Sequence, residues 1–398
     1  MRVLLTTQPG HGHFDPMIPY ANAFRAAGHE VRVASSAPFA RVVEAAGFDF
    51  TAIGTHFRWD DVETTFPEFV DYARRGQGLE YSSEFSWTTW NPAAARDLLA
   101  SFDSWRPDVM IREFAENGAT LAGQVADIPV ICASWSALPT DARRWGSVIN
   151  WPRVLDHYAS TARTFGIEHD DAEAVWNRQL TLTGLPPSWF SGGNTGPTVR
   201  HLRLPLADGP DAPGPDWLDT LGRERPLVYA TLGTVFNRMR KPRRAVIDGL
   251  AELDADVLLT VGRTVDPDTI GSIPPRMRVE RFVPQGYALS KAFLAVSHAG
   301  LGTMLGAIYH GVPMVSLVLG AEHSINAASA AEAGLALPLS LDEIDAATIA
   351  ATATRALHDR ALRTRSTAVR KECEDLETID CLVPLAEIYA ENGTTLPN

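Results

Sequence analysis

Cysteine is scarce in this chain. Cys132, Cys373 and Cys381 are the only three among 398 residues, and no two are spaced as CxxC. That excludes a disulfide framework and a cysteine zinc site, and it fits a reducing compartment. An excess of basic charge is lacking too. Lys and Arg number 35 against 48 Asp and Glu, a formal net charge of −13. This argues against a nucleic-acid backbone as the main partner. It leaves room for an anionic small ligand, because fixed N–H dipoles act locally. No run reaches about 18 consecutive apolar residues, so no membrane span is expected. The opening Val3-Leu4-Leu5 is too short for a secretion signal, so a cytoplasmic location is the expectation. Two nucleotide motifs are missing as well. Gly10-x-Gly12 runs into Phe14 and Asp15 without the third glycine of GxGxxG. The second strand ends Ala34-Ser35-Ser36, with no acid for a ribose. A nicotinamide dehydrogenase is thereby excluded. No GxxxxGK[ST] loop occurs. Asp254-x-Asp256 precedes a strand, at the wrong end of a parallel sheet, and Asp266-x-Asp268 is interrupted by Pro267. No metal site is expected from either.

What is present is a globular chain, 45% hydrophobic and 21% charged, long enough for two cores. Strands and helices alternate at βαβ spacing. Residues 2–7, 31–35 and 48–53 read as strands. A turn over residues 8–15 and a helix over 16–27, opened by Pro16 and closed by Gly28, lie between the first two. Further strands are expected at 109–112, 130–134 and 199–204, with a helix over 170–182. Residues 207–215, dense in Pro and Gly, read as a linker, after which the pattern restarts. Strands then fall at 227–232, 257–261, 278–283, 294–297 and 314–319, and helices over 342–358 and 361–390 close the chain. The fold class is α/β, with two doubly wound, Rossmann-like domains facing a central cleft. Domain boundaries are expected at 1–206, a linker at 207–216, a second domain at 217–375, and a C-terminal helix and tail at 376–398 that packs back on the first.

Ligands in such sheets bind beyond the carboxyl ends of the strands, where strand order reverses. In the first half, that places Gly10-His11-Gly12-His13 near Glu113. A carboxylate on one ring nitrogen of His13 fixes its tautomer and leaves the other nitrogen as a general base. In the second half it places Gly233-Thr234 near Ser297-His298-Ala299-Gly300-Leu301-Gly302-Thr303. That stretch reads as strand, glycine turn and helix start, which suits a phosphate. A base in one domain and an anion site in the other fit group transfer between two substrates. Residues 54–91 break the βαβ period and are rich in aromatics. They read equally as a satellite core of local helices or as the wall of an apolar pocket.

With these residues in view, the chain resembles the family 1 glycosyltransferases of GT-B fold, and most of all bacterial enzymes that decorate macrolides and polyketides. The likeness runs from Pro9-Gly10-His11-Gly12-His13 with Pro16 through Arg106-Pro107-Asp108 and Leu232-Gly233-Thr234. It peaks at Phe282-Val283-Pro284-Gln285 and at His298 to Thr303, and it continues through Gly311-Val312-Pro313 to Asn326 and Gly334. The resemblance implies that His13 deprotonates an acceptor hydroxyl, which attacks C1 of a nucleotide-activated sugar with inversion. His298, Gly300, Gly302 and Thr303 match the diphosphate cradle, and Thr234 the loop facing it. Phe282 matches the aromatic that stacks on the base, Val283 the backbone contact to the base, and Gln285 lies in the same motif. The family's HHGG reads Ser297-His298-Ala299-Gly300 here. Its Asp-Gln sugar grip reads Glu322-His323, which points away from glucose toward a deoxysugar on TDP, with UDP-glucose second. The aspartate that partners the base reads Glu113, with Glu116 as rival. Asp15 reads as a helix cap. Trp59, Phe66, Phe85, Trp87 and Trp135 are the candidate acceptor contacts.

The implied partners are a nucleotide-sugar donor and a hydrophobic small-molecule acceptor, with no metal or other cofactor. A homodimer stays open, as does the identity of the acceptor. The competing functions are a nucleotide-sugar epimerase or hydrolase of similar fold, and a non-catalytic auxiliary of another transferase.

Overall fold

The computed structural model describes residues 1–75, 77–134, 149–168, 175, 179–190, 198–206, 214–233, 236–262, 265–320 and 322–392. The chain forms two compact units. The first begins β1 (Arg2–Thr6), β2 (Glu30–Ser35), β3 (Asp49–Ala52), β4 (Val109–Glu113), β5 (Val130–Ser134), β6 (Thr181–Thr183) and β7 (Val199–Arg203). The second holds β8 (Leu227–Thr231), β9 (Asp256–Thr260), β10 (Met277–Glu280), β11 (Leu294–Ser297), β12 (Met314–Leu317) and β13 (Ala336–Leu339). A last short strand, β14 (Glu377–Thr378), returns to the first unit and pairs with β7.

Every strand pair among the described residues is parallel. The first sheet runs β14-β7-β6-β5-β4-β1-β2-β3 and the second β10-β9-β8-β11-β12-β13. Order therefore reverses between β1 and β4 in one sheet and between β8 and β11 in the other, as expected for doubly wound domains. β5 and β8 are buried along their whole length and apolar almost throughout. That is what a parallel sheet covered on both faces requires. β4 is equally buried but ends in two charged residues, Arg112 and Glu113. Buried charges are costly unless partnered, so this strand end is marked as special before any ligand is considered.

Several elements differ from the sequence reading. His11–Phe14 is a helical turn rather than a loop, followed by a 3-10 turn Asp15–Met17 and the helix Ile18–Ala26. Part of the helix expected over 170–182 lies outside the described residues, but Thr181–Thr183 is the buried strand β6. A three-residue buried strand carries too little periodicity to be told from a helix end. The final helix is two helices, Arg360–Glu374 and Leu382–Asn392, with β14 between them. Pro384 was the signal, since proline is tolerated in a helix's first turn and not in its interior. The aromatic segment folds into short helices, among them Pro67–Arg74 and Gly78–Phe85, and a π turn Ser86–Trp90 that runs into Asn91–Ser101. Of the expected linker, residues 207–213 lie outside the described residues. Among the described residues no helix is long and apolar enough to cross a membrane.

Candidate active site

Register brings the first group of residues together. Thr6 of β1 lies opposite Arg112 of β4, so the chain leaves both strands at the same level. Beyond β1, Gly10 starts the helical turn that carries His13. At the end of β4 stands Glu113, and His13 Nδ1 lies 3.1 Å from Glu113 Oε1. The Glu113 side chain is fully buried, while His13 keeps a quarter of its side-chain surface. Its carboxylate has two further donors, the N–H of Gln8 on Oε1 at 3.3 Å and the N–H of Ala115 on Oε2 at 2.8 Å. An ionised carboxylate can only accept, so the contact fits an imidazole that carries its proton on Nδ1.

Glu116 has a different task. Its oxygens accept from the Thr6 hydroxyl at 2.6 Å and from the N–H groups of Gly118 and Ala119, which satisfies the start of the helix Gly118–Ala126. Burial pushes its carboxyl above the usual range. His11 Nδ1 pairs with Asp15 at 3.1 Å on the surface. Asp15 makes no side-chain cap to the turn that Pro16 enters, and this corrects the cap expected of it.

The rings around His13 come from two loops. Trp59 and Phe114 lie on roughly parallel planes, each with its centroid 6.4 Å from the imidazole. Trp59 and Phe66 are half-buried, whereas Phe85 packs edge to face on Phe57 and joins the core under β1. Trp87 lies in a second core, against Tyr158. Both were expected as acceptor contacts. The structure makes Trp87 a core residue and Phe85 a floor beneath Phe66, because short helices packing on one another must bury one face. Trp135 lies outside the described residues.

Two residues near the pair escaped the sequence reading. Arg112 is fully buried and grips Gln179 Oε1 through Nε at 3.1 Å and Nη2 at 2.8 Å. Its Nη1 donates to the main-chain carbonyls of Glu113 and Phe114. Gln8 is 2% exposed and bonds to Trp59, Ser86 and Ala115. Neither stands in a motif. Only a charge inside an otherwise apolar strand hinted at Arg112.

The second unit builds its own group of residues at the ends of β8 and β11, where Ser297 lies opposite Thr231. The helix Leu301–His310 starts at Gly300 and stops at Gly311, whose φ is +67°. The His298 imidazole sits in a slot between two glycines. A Cβ added at Gly233 would meet its Nε2 at 2.4 Å, and one at Gly300 would meet it at 2.2 Å. Gly302 faces open space. Burial pushes His298 down to about 4, so the ring is neutral at neutral pH. His323 packs edge to face on His298 at 5.0 Å and on Phe236 at 4.8 Å, and it is 3% exposed. Burial and the neighbouring imidazole hold it well below the usual histidine range. A side chain so enclosed packs against His298 at the end of β11. Glu322 beside it stays half-buried.

Gln285 and Thr303 meet each other, Nε2 to Oγ1 at 3.0 Å, and Gln285 also reaches Tyr229. Val283 is buried. Phe282 is 48% exposed and borders an open depression of about 360 Å³ lined also by Asp266, Asp268, Glu280 and Arg281. Thr234 lies outside the described residues. Asn326, seen in the sequence only as part of the likeness, donates to the carbonyl of Ala299 at 3.1 Å and so pins the turn. Among the described residues no group of three His, Cys, Asp or Glu side chains is placed to hold a metal.

Comparison with known proteins agrees with the fold. The family models for the erythromycin biosynthesis protein CIII-like N-terminal and C-terminal domains match residues 22–233 and 244–376. Tylactone mycaminosyltransferase of Streptomyces fradiae is 27% identical, over 97% of this chain and 92% of its own. The L-demethylnoviosyl transferase of Streptomyces niveus is 30% identical, over 86% of this chain and 87% of its own. Among solved structures, the glycosyltransferase VinC in complex with dTDP superposes with a TM-score of 0.75 at 22% identity, covering 99% of this chain and 100% of that one. The chain belongs to the erythromycin biosynthesis protein CIII-like family of natural-product glycosyltransferases, and it is a glycosyltransferase of GT-B fold.

Proposed function

We propose that the chain transfers a sugar from a TDP-deoxysugar, with UDP-glucose as second choice, to a hydroxyl of a hydrophobic natural-product acceptor, with inversion. The observation that carries this reading is the contact of His13 with buried Glu113 at 3.1 Å. With Nδ1 committed to the carboxylate, Nε2 takes the acceptor proton as the oxygen attacks C1. Glu113 stabilises the imidazolium that forms. The C1–O bond to the diphosphate breaks on the opposite face, so the configuration inverts. The leaving diphosphate is met by the N–H groups at the start of Leu301–His310 and by an N–H of His298. As His298 is neutral, it acts as a hydrogen-bond donor and not as a counter-charge. This chemistry calls for no metal or other cofactor. Phe282 stacks on the base, Val283 bonds to it through its backbone, and Gln285 holds Thr303 in place at the helix start.

The relatives named for mycaminosyl, mycarosyl and desosaminyl transfer favour a specialised sugar over glucose, and the dTDP-bound neighbour favours TDP. Half-buried Trp59 and Phe66 serve as the acceptor wall. An epimerase or hydrolase has no need of such a wall, and a non-catalytic auxiliary has no need of the base. Thermal shift against dTDP, UDP and GDP tests the donor. A ligand at 100 times its Kd stabilises the native state by about 2.7 kcal/mol, so dTDP should raise the melting temperature most and GDP least. Stabilisation by none of the three removes the nucleotide-sugar reading.

A further inference from the structure

Gln8 stands outside every motif, yet its polar groups touch each part of the apparatus around His13. Its main-chain N–H donates to Glu113 Oε1, the same oxygen that faces His13. Its side-chain Nε2 donates to the carbonyl of Ala115 at 3.0 Å and to the Ser86 hydroxyl at 3.2 Å. The N–H of Ala115 in turn donates to Glu113 Oε2. One residue therefore fixes both carboxylate oxygens, one directly and one through the loop after β4. The remaining polar atom, Oε1, accepts from Trp59 Nε1 at 2.7 Å. Trp59 also takes its main-chain bond from this turn, its N–H donating to the Pro9 carbonyl at 2.9 Å, and its ring packs over Gly10 and faces His13. The side chain is sealed from solvent, so each of these bonds is costly to leave unmade.

We infer that Gln8 is a positioning residue: it couples the aromatic wall at Trp59 to the His13–Glu113 pair, so that the ring that receives an acceptor also holds the base in one tautomer. The inference rests on the proposed base pair and acts through it. Gln8 touches neither reacting atom. Its role differs from simple packing, because it fixes where the His13 proton resides.

The test is nuclear magnetic resonance of the full chain labelled with ¹⁵N-histidine, with the His13 signals assigned by their loss in His13→Ala. In the wild type, His13 should be the Nδ1–H tautomer. Gln8→Met keeps the volume and removes all three side-chain bonds. Trp59→Phe keeps an aromatic ring and removes the donor to Oε1, and it carries the test if Gln8→Met does not fold. Each should turn the His13 signals toward the mixed tautomers of a free imidazole in a variant that is destabilised but still folds. An Nδ1–H wild type with unchanged His13 signals in folded variants would leave the base pair standing and overturn the role of Gln8. A wild type whose His13 is the Nε2–H tautomer would remove the base pair itself, and this inference with it.

Discussion

His298 shows how far a residue's surroundings can depart from its motif. Its position in the turn suggests a cation beside a phosphate. Its slot between Gly233 and Gly300 encloses it, and the desolvation lowers its value from 6.5 to about 4. The unfolded chain then binds more protons than the folded one between those two values. Stability therefore rises with pH through that window and is lost as pH falls through it. His323 and His310 shift in the same direction, and buried Glu116 shifts in the opposite one. His323→Leu isolates one contribution, since leucine fills the space and does not titrate. The wild-type melting temperature should fall between pH 7 and pH 5, and the fall should be smaller in His323→Leu. Equal slopes for the two proteins would show that the buried imidazole is not titrating as described.

At the scale of the element, the turn from β11 into Leu301–His310 contains a residue that its backbone does not suit. Ala299 is fully buried at a φ of +59°, the left-handed region, where a side chain costs about 1–2 kcal/mol. The HHGG pattern has glycine there, and the conformation explains why. Ala299→Gly should raise stability by about 0.5–1 kcal/mol in urea titration and leave nucleotide binding intact. Ala299→Val, branched at Cβ, should cost about 2 kcal/mol or more and weaken dTDP binding in the same preparation. A destabilised Ala299→Gly would place the strain elsewhere.

The same element shows what the sequence could and could not reveal. Gly300 and Gly311 bracket the helix and are readable as its ends. The positive φ at Ala299 is invisible, because alanine in that place announces nothing. The His13–Glu113 contact was legible because alternating strands and helices imply that the first and fourth strands are neighbours. Gln8 and Arg112 were not, since the side-chain partners of Gln8 lie 51 to 107 positions away and the Gln179 that holds Arg112 lies 67 away. Short strands such as β6 and β14 were lost for want of periodicity, and the split of the last helix needed Pro384 to be weighed as a first-turn residue.

For the whole molecule, the return of the chain at Glu377 matters most. Leu382, Ala386 and Tyr389 are almost fully buried in the core of the first unit, with Val3, Tyr20 and Phe24. Burying the leucine and tyrosine side chains is worth about 3–6 kcal/mol together. Truncation after Leu376 should therefore lower the melting temperature of the first unit sharply, while dTDP still stabilises the second. A truncated chain that melts like the full one would show that the last segment adds nothing to the first core.

The most direct measurement is sugar transfer by His13→Ala beside the wild type, from the same TDP-sugar to a panel of macrolactones and aromatic polyketides, with dTDP affinity followed in parallel. Loss of a general base costs about 10²–10⁴-fold in rate. The account predicts a fall of that size in transfer with dTDP affinity unchanged. Transfer by His13→Ala at the wild-type rate would contradict it.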